Sequence, residues 1–450
     1  MQCLRPTLLA LIIGCTPWAS MAQQATPAVL SGHAVLPAAS FMEAPADAPE
    51  DLKVSGKYTS AVRVDALGSV MGRSADRDTG IALPVQGQVR QGHSGIKVMS
   101  DGSFWILTDN GFGSKANSMD AMLYLNRYSV DWQAGTLTPE QTVFLHDPDR
   151  KIPFRIVHED TAERYLTGSD LDTESFQPIG EHFWIGDEFG PYLVKTDLTG
   201  KVQALFETEI DGHAVRSPDH YAVTSPGAPG QTYQGVTSKR SKGFEGMAAS
   251  KDGKFLYPLL EGPLWDEKTQ TWEQVDGKTA LRILEFSVAD ERWTGRSWLY
   301  PLEGKDHAIG DFNMIDGTTG LVIERDNGEG TPDKACAAGA DTKTCFSDLP
   351  KFKRIYKIEL TDGNAGKAVG KLAYVDLLAI QDPDGKARKP LTDGVLQFPF
   401  FTIENVDVVD AEHIVVGNDN NFPFSSSREP NREDDNELVL LHVPELLRNR

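Results

Sequence analysis

Apolar positions along this chain come in short runs that end at Gly, Pro, Asp or Asn, and helical periodicity is nearly absent. The stretch GFEGMAASKDGKFLYPLLEGP (243–263) displays the unit. Glu245 opens a short apolar segment, a Lys-Asp-Gly turn reverses it, and a second apolar segment runs out at Glu261. Four further stretches have the same layout: SGIKVMSDGSFWILTDNG (94–111), ESFQPIGEHFWIGDEFGP (174–191), IGDFNMIDGTTGLVIERDNG (309–328) and ENVDVVDAEHIVVGNDNN (404–421). Each starts on a polar residue, usually acidic, and ends in a cluster of Asp, Glu and Asn. These patterns predict five β-hairpins in an all-β fold.

Amphipathic strand pairs lie between the hairpins, among them AMLYLNRYSV with QTVFLHD, LRILEFSV with SWLYPLE, and KRIYKIEL with KLAYVDLL. A four-stranded unit recurring every 65–95 residues or so is the signature of a β-propeller, each blade burying its faces against its neighbours. Five repeats are visible, and a sixth, divergent blade fits in 140–170 or 205–240. A free strand near the start, SAVRVDALG (60–68), is expected to complete the last blade and close the ring. No linker divides the chain after a flexible leader at 23–54, so residues 55–450 form a single propeller domain.

The first 22 residues carry Arg5, an apolar core and a small-x-small sequence ending at Ala22, the layout of a secretory signal too short to span a bilayer. Cleavage is expected after Ala22, giving a periplasmic or secreted protein, with IIGC ending at Cys15 leaving a lipid-anchored form as the lesser alternative. No other apolar run reaches membrane length. Cys336 and Cys345 flank AAGADTKT and, in an exported chain, most simply close a surface loop as a disulfide. The formal charge of −21 disfavours nucleic acid and anionic membranes as partners, and the expected species is a monomer.

In a propeller, both ends of every inner hairpin point to one mouth of the central channel. Ser94, Glu174, Glu245, Asp311 and Glu404 mark the first ends. Asp109, Asp187 with Glu188, Glu261, Glu324 with Asp326, and Asp419 mark the second. Carboxylates so gathered raise each other's pKa unless a counter-charge joins them. A hard cation with oxygen ligands meets that need, and Ca²⁺ accepts 6–8 such ligands. The predicted metal ligands are Glu174, Glu188, Glu245, Glu324, Glu404, Asn405 and Asn418, with one or more Ca²⁺ and other divalent metals open. Acidic caps on solvated strand ends are the bland alternative for any one of these residues.

At these same hairpins the sequence resembles the phytase-like family of "esterase-like activity of phytase" proteins. The resemblance lies in GHSGI with LTDNGFG, ESFQPIGEHFWIGDEFGPYLVKTDLTGKV, KGFEGMAASKDGKFLYPLLEGPL, LVIERDNGEG and NVDVVDAEHIVVGNDNNFP, and spans about 90–425. Residues 147–170 and the Cys336–Cys345 region depart from it as insertions. It implies an exported bacterial propeller that hydrolyses phosphoric esters with a divalent metal, acting on a small phosphate ester. Under that reading Asp109, Asp187 or Asp419 is a ligand or general base, and Arg325 and Lys242 are anion-binding cations or ordinary ion pairs at an acidic rim. His93 and His307 precede inner strands and are lesser candidates for a general acid or ligand.

Two other classes stay open: a Ca²⁺-dependent lactonase or esterase, and a binding propeller with a structural metal. A serine-esterase elbow is disfavoured, because GHSGI ends in Ile96 where the motif needs glycine and is followed by strand patterning. The aromatics of the second inner strands, including Trp105, Phe183 and Trp184, read as packing between blades.

Overall fold

The computed structural model describes residues 23–226 and 232–448. Among them, five antiparallel four-stranded units form the blades of a propeller, the first and fifth joined through their outer strands into one sheet by a parallel pairing of Thr136 with Val35. Blade 1 runs through His93–Val98, Phe104–Thr108, Tyr124–Asp131 and Thr136–Phe144. Blade 2 comprises Thr173–Ile179, His182–Asp187, Tyr192–Asp197 and Val202–Glu207, and blade 3 Phe244–Ala249, Phe255–Leu260, Lys278–Ser287 and Arg292–Pro301. Blade 4 is built from Ala308–Met314, Thr319–Arg325, Lys353–Glu359 and Gly370–Asp376. Blade 5 takes Ile403–Val408, His413–Asn418 and Asn436–His442. The inner strands of the five blades contact one another in sequence order, and that of blade 5 meets that of blade 1. Among the described residues of 140–170 and 205–240, the sixth blade left open by the sequence is not formed.

Ring closure uses a different N-terminal strand from the one expected. Val29–Leu36 pairs antiparallel with Asn436–His442 as the outermost strand of blade 5, whereas 60–68 is turn and bend. The closing strand therefore lies inside the segment read from sequence as a leader. Its buried Leu30 and Ala34 have the strand period of 2 that 60–68 mimics in one dimension. Gln24–Ala25 adds a short parallel pair to the outer strand of blade 4. The disulfide Cys336–Cys345 is formed. The expected signal peptide and Cys15 fall outside the described residues, within which no helix is long and apolar enough to cross a membrane.

The second inner strands, such as Phe104–Thr108, are buried on both faces because each is sandwiched between neighbouring blades. As expected, their aromatics join blades: Trp105 meets Phe183 edge-on at 5.2 Å, and Trp184 meets Phe286 at 5.5 Å. Nearer the axis the backbones approach too closely for side chains. A Cβ on Gly310 would lie 2.3 Å from the carbonyl oxygen of Ile403, and one on Gly246 3.0 Å from that of Gly310.

Every inner hairpin also carries a β-bulge that places one extra residue on its first strand. In blades 2, 3 and 5 the extra residue is Glu174, Glu245 and Glu404 respectively. A bulge re-aims the side chain it carries, and here it falls at the channel mouth in each blade.

Gly310→Ala is expected to cost about 1–3 kcal/mol by overpacking the inner strands, whereas Gly317→Ala, where an added Cβ meets nothing within 4 Å, should leave chemical denaturation unchanged.

Candidate metal centre at the channel mouth

Register across the five hairpins defines two rings of equivalent positions. Near the mouth the equivalent ladder pairs are His93 with Thr108, Thr173 with Asp187, Phe244 with Leu260, Ile309 with Glu324, and Ile403 with Asn418, the ladder of blade 4 running one pair further to Ala308 with Arg325. The residues just after these on the first strands are Ser94, Glu174, Glu245, Gly310 and Glu404. Those just beyond on the second strands are Asp109, Glu188, Glu261, Arg325 and Asp419. Blade 4 alone puts glycine and arginine where the others put acids or serine.

The geometry gathers Asp109, Glu174, Glu188, Glu245, Glu261, Glu404 and Asp419 as the sequence suggested. Asp172, which the sequence reading missed, joins them. Ligand oxygens of Asp172, Glu174 and Glu188 lie within 4.8 Å of one another, as do those of Glu188, Glu245 and Glu261. Two cations meet the ring. Arg325 Nη2 donates to Glu404 Oε1 at 3.2 Å, with the guanidinium 5.5 Å from the Phe401 ring centroid. The Lys242 ammonium is bonded to Glu261. Ser94 Oγ donates to the other Glu404 oxygen at 3.0 Å.

Burial and mutual repulsion push the carboxyl groups upward. Asp109 is raised to about 7 by burial and then by Asp172 and Glu404. Asp172 rises to about 6 through burial. Glu174, Glu188, Glu245 and Asp419 are held well above the usual range, burial being the largest cause in each and neighbouring carboxylates the next. Asp172 Oδ1, Glu188 Oε1 and Asn110 Oδ1 are buried with no hydrogen-bond partner. Orphaned buried oxygens beside crowded acids fit a hard, oxygen-preferring divalent cation.

Several predicted residues sit elsewhere. Glu324 is turned away from the mouth, accepting from Tyr300 Oη at 2.9 Å and the Glu303 amide at 2.6 Å, with Lys371 Nζ at 2.7 Å and His307 Nδ1 at 2.8 Å. Its oxygens, and His307, are committed to that buried network. Asn418 accepts from the Glu437 amide at 2.8 Å and donates to the Asp419 and Asp435 carbonyls. Asn405 donates to the carbonyls of His93 and Glu404, tying blade 5 to blade 1. Asp187 accepts the amides of Asp172 and Gly190, at 2.8 and 2.7 Å, and so braces the mouth from outside. Asp326 accepts the Lys351 and Phe352 amides. His93 is fully enclosed 3.2 Å from Tyr128 Oη, and burial together with the Arg90 charge lowers it to about 3. It stays neutral and does not face the ring.

Asp311 lies one residue past the ring and makes the floor beneath it. It accepts the amides of Ile96 at 3.3 Å and Val406 at 3.2 Å, while Asn313 Nδ2 donates to the carbonyls of the same two residues. Gln177 Nε2 and Lys97 Nζ reach Asn313 Oδ1 at 2.9 and 2.8 Å. All five blades join this plug through Ile96, Gln177, Met247, Asn313 and Val406. The ring is thus a cup with its bottom sealed. The inserted segment 147–170 borders it, Gly168 packing directly on Asn110.

Residues 88–422 match the family described as "Phytase-like: Esterase-like activity of phytase". No curated protein matches the chain in sequence. Similar solved structures include Myxococcus xanthus glutaminyl cyclase, at 10% identity and a TM-score of 0.33, over 78% of this chain and 91% of that one. Another is the Pseudomonas aeruginosa periplasmic gluconolactonase PpgL, at 12% identity and 0.28, over 86% and 98% of the two chains. A putative 6-phosphogluconolactonase from Bacteroides fragilis is 11% identical with a TM-score of 0.30, over 77% and 86%. At these scores the likenesses carry no inference.

A carboxyl whose pKa rises on folding holds its proton more tightly in the folded chain, which favours the folded state at low pH. That advantage fades as pH climbs through the folded values, about 6 for Asp172 and about 7 for Asp109 and Asp187. In chelator, the melting temperature should therefore fall from about pH 4 up to about pH 8. Millimolar Ca²⁺ should restore it at the upper end, and Glu188→Gln should abolish that restoration. Scanning calorimetry checks both.

Proposed function

Since the chain belongs to the phytase-like family, we propose that it is a hydrolase that cleaves phosphoric esters in the sealed cup of its propeller, with Ca²⁺ held by the acidic ring. One observation carries this reading: eight carboxyl groups (Asp109, Asp172, Glu174, Glu188, Glu245, Glu261, Glu404 and Asp419) share one opening with only the Lys242 and Arg325 charges bonded to them among the described residues.

Asp172, Glu174 and Glu188, with Glu245 and Glu261 beside them, would hold the cation. When bound, it supplies Lewis-acid polarisation of a phosphoryl oxygen and offsets the charge that develops there. The residues of the chain do the rest. Arg325 Nε is buried without a partner, which leaves an N–H free for a phosphoryl oxygen while Nη2 stays anchored on Glu404. Asp109 is the general base of this scheme. One of its oxygens is fixed by the Gly111 amide at 2.7 Å, which orients the carboxyl group for proton uptake from water. Asp187 is set aside as base because both its oxygens accept backbone amides. The plug at Asp311 and Asn313 keeps water from entering through the channel, so substrate and water share one entrance.

The test is an assay panel of phosphomonoesters, phosphodiesters and lactones, with and without Ca²⁺. Ca²⁺-dependent release of phosphate, inhibited by free phosphate, is expected. Glu245→Gln should lower turnover and bound Ca²⁺ together, and Asp109→Asn should lower kcat by about 10²-fold or more. Turnover of lactones with indifference to phosphate would replace this reading with a lactonase, and inactivity on the whole panel would leave a binding propeller.

A further inference from the structure

The two triads of the ring are not alike. Both include Glu188, whose Oε1 has no partner. The Asp172, Glu174 and Glu188 triad is bonded to no ammonium or guanidinium among the described residues, and Asp172 Oδ1 is buried and orphaned. The Glu188, Glu245 and Glu261 triad is already met by a charge, because the Lys242 ammonium is bonded to Glu261. The partners are fixed to different degrees. The Glu261 side chain is 6% exposed and that of Lys242 41%. Gly262 leaves the space in which Lys242 lies, since a Cβ there would come 2.7 Å from Lys242 Cβ. The lysine stem is therefore seated over the hairpin end, with part of the side chain exposed to solvent.

We propose that the ring holds two unequal divalent-cation positions that share Glu188: an open one at Asp172 and Glu174, and a guarded one at Glu245 and Glu261, where the Lys242 ammonium is a tethered counter-ion that a second cation displaces. This rests on the reading of the ring as a cation site. A unit charge placed among three carboxylates competes directly with any ion that enters, by the same Coulombic attraction. The guarded position is weaker than the open one for that reason, and its occupancy depends on free cation concentration. Displacement frees the Lys242 ammonium at the rim of the cup, next to the entrance for an anionic substrate. Lys242 is thus a positioning residue that couples metal loading to the charge offered to substrate.

The experiment is calorimetric titration of the chelator-treated full chain with CaCl₂. Wild type should bind one Ca²⁺ tightly and a second roughly 10- to 100-fold more weakly, a spread ordinary for coupling between bound charges. Lys242→Met should tighten the second step by about tenfold or more and the first by clearly less, through the shared Glu188. Lys242→Arg should keep the wild-type pattern, Asp172→Asn should remove the tight step alone, and Lys242→Gln repeats the comparison should the methionine variant not fold. Identical isotherms for wild type and Lys242→Met or Lys242→Gln overturn the guarded position while leaving the ring a cation site. Absence of Ca²⁺ binding in wild type and every variant overturns both.

Discussion

Like-charge repulsion at the mouth of the ring is the constraint on which the site depends. Carboxyl groups free to move would separate and stay hydrated, but these are fixed on inner strands packed so tightly that Gly310 and Gly246 leave no space for a methyl group. The bulges then turn Glu174, Glu245 and Glu404 toward the same opening. Packing thereby converts apolar burial between blades into electrostatic work at the axis. Burial raises Asp109 and Asp172, with Asp172 and Glu404 adding to the rise at Asp109, and a bound divalent ion would relieve the crowding.

The sequence disclosed the hairpins, the propeller and most of the ring, since turn chemistry and the strand period are local signals. What it concealed is parity. Side chains alternate faces along a strand, so a shift of one residue reverses orientation. Asp187, Glu324 and Asn418 each lie one position before the ring on their strand and turn away from it. His93 occupies the matching place on the first strand of its blade. Each bulge adds a residue that no composition or spacing reveals, and Asp311 falls below the ring for that reason. Asp172 escaped notice because it precedes its strand, at a position where the other blades have Gly92, Gly243, Ala308 and Thr402. The acid two residues before Glu174 was the available signal.

Blade 4 gives the ring a direction. With Gly310 and Arg325 in place of two acids, positive charge enters on one side, supported by Glu404 and the Phe401 ring. The most crowded carboxylates, Asp172 to Glu261, come from blades 2 and 3. A fivefold scaffold so modified has an acidic half and a half that carries a guanidinium. The seal beneath, tied across all five blades by Asp311, Asn313 and Gln177, fixes the two halves relative to each other.

The strand Val29–Leu36 has a temporal consequence. Its partner, Asn436–His442, is made some four hundred residues later, as the His33 and Glu437 contact illustrates with a separation of 404. Val29–Leu36 therefore waits for a partner from the far end of the chain, and without it blade 5 keeps an unpaired edge. Closure of the circle is thus a contact of very long sequence separation, the kind that carries the largest loop-closure cost.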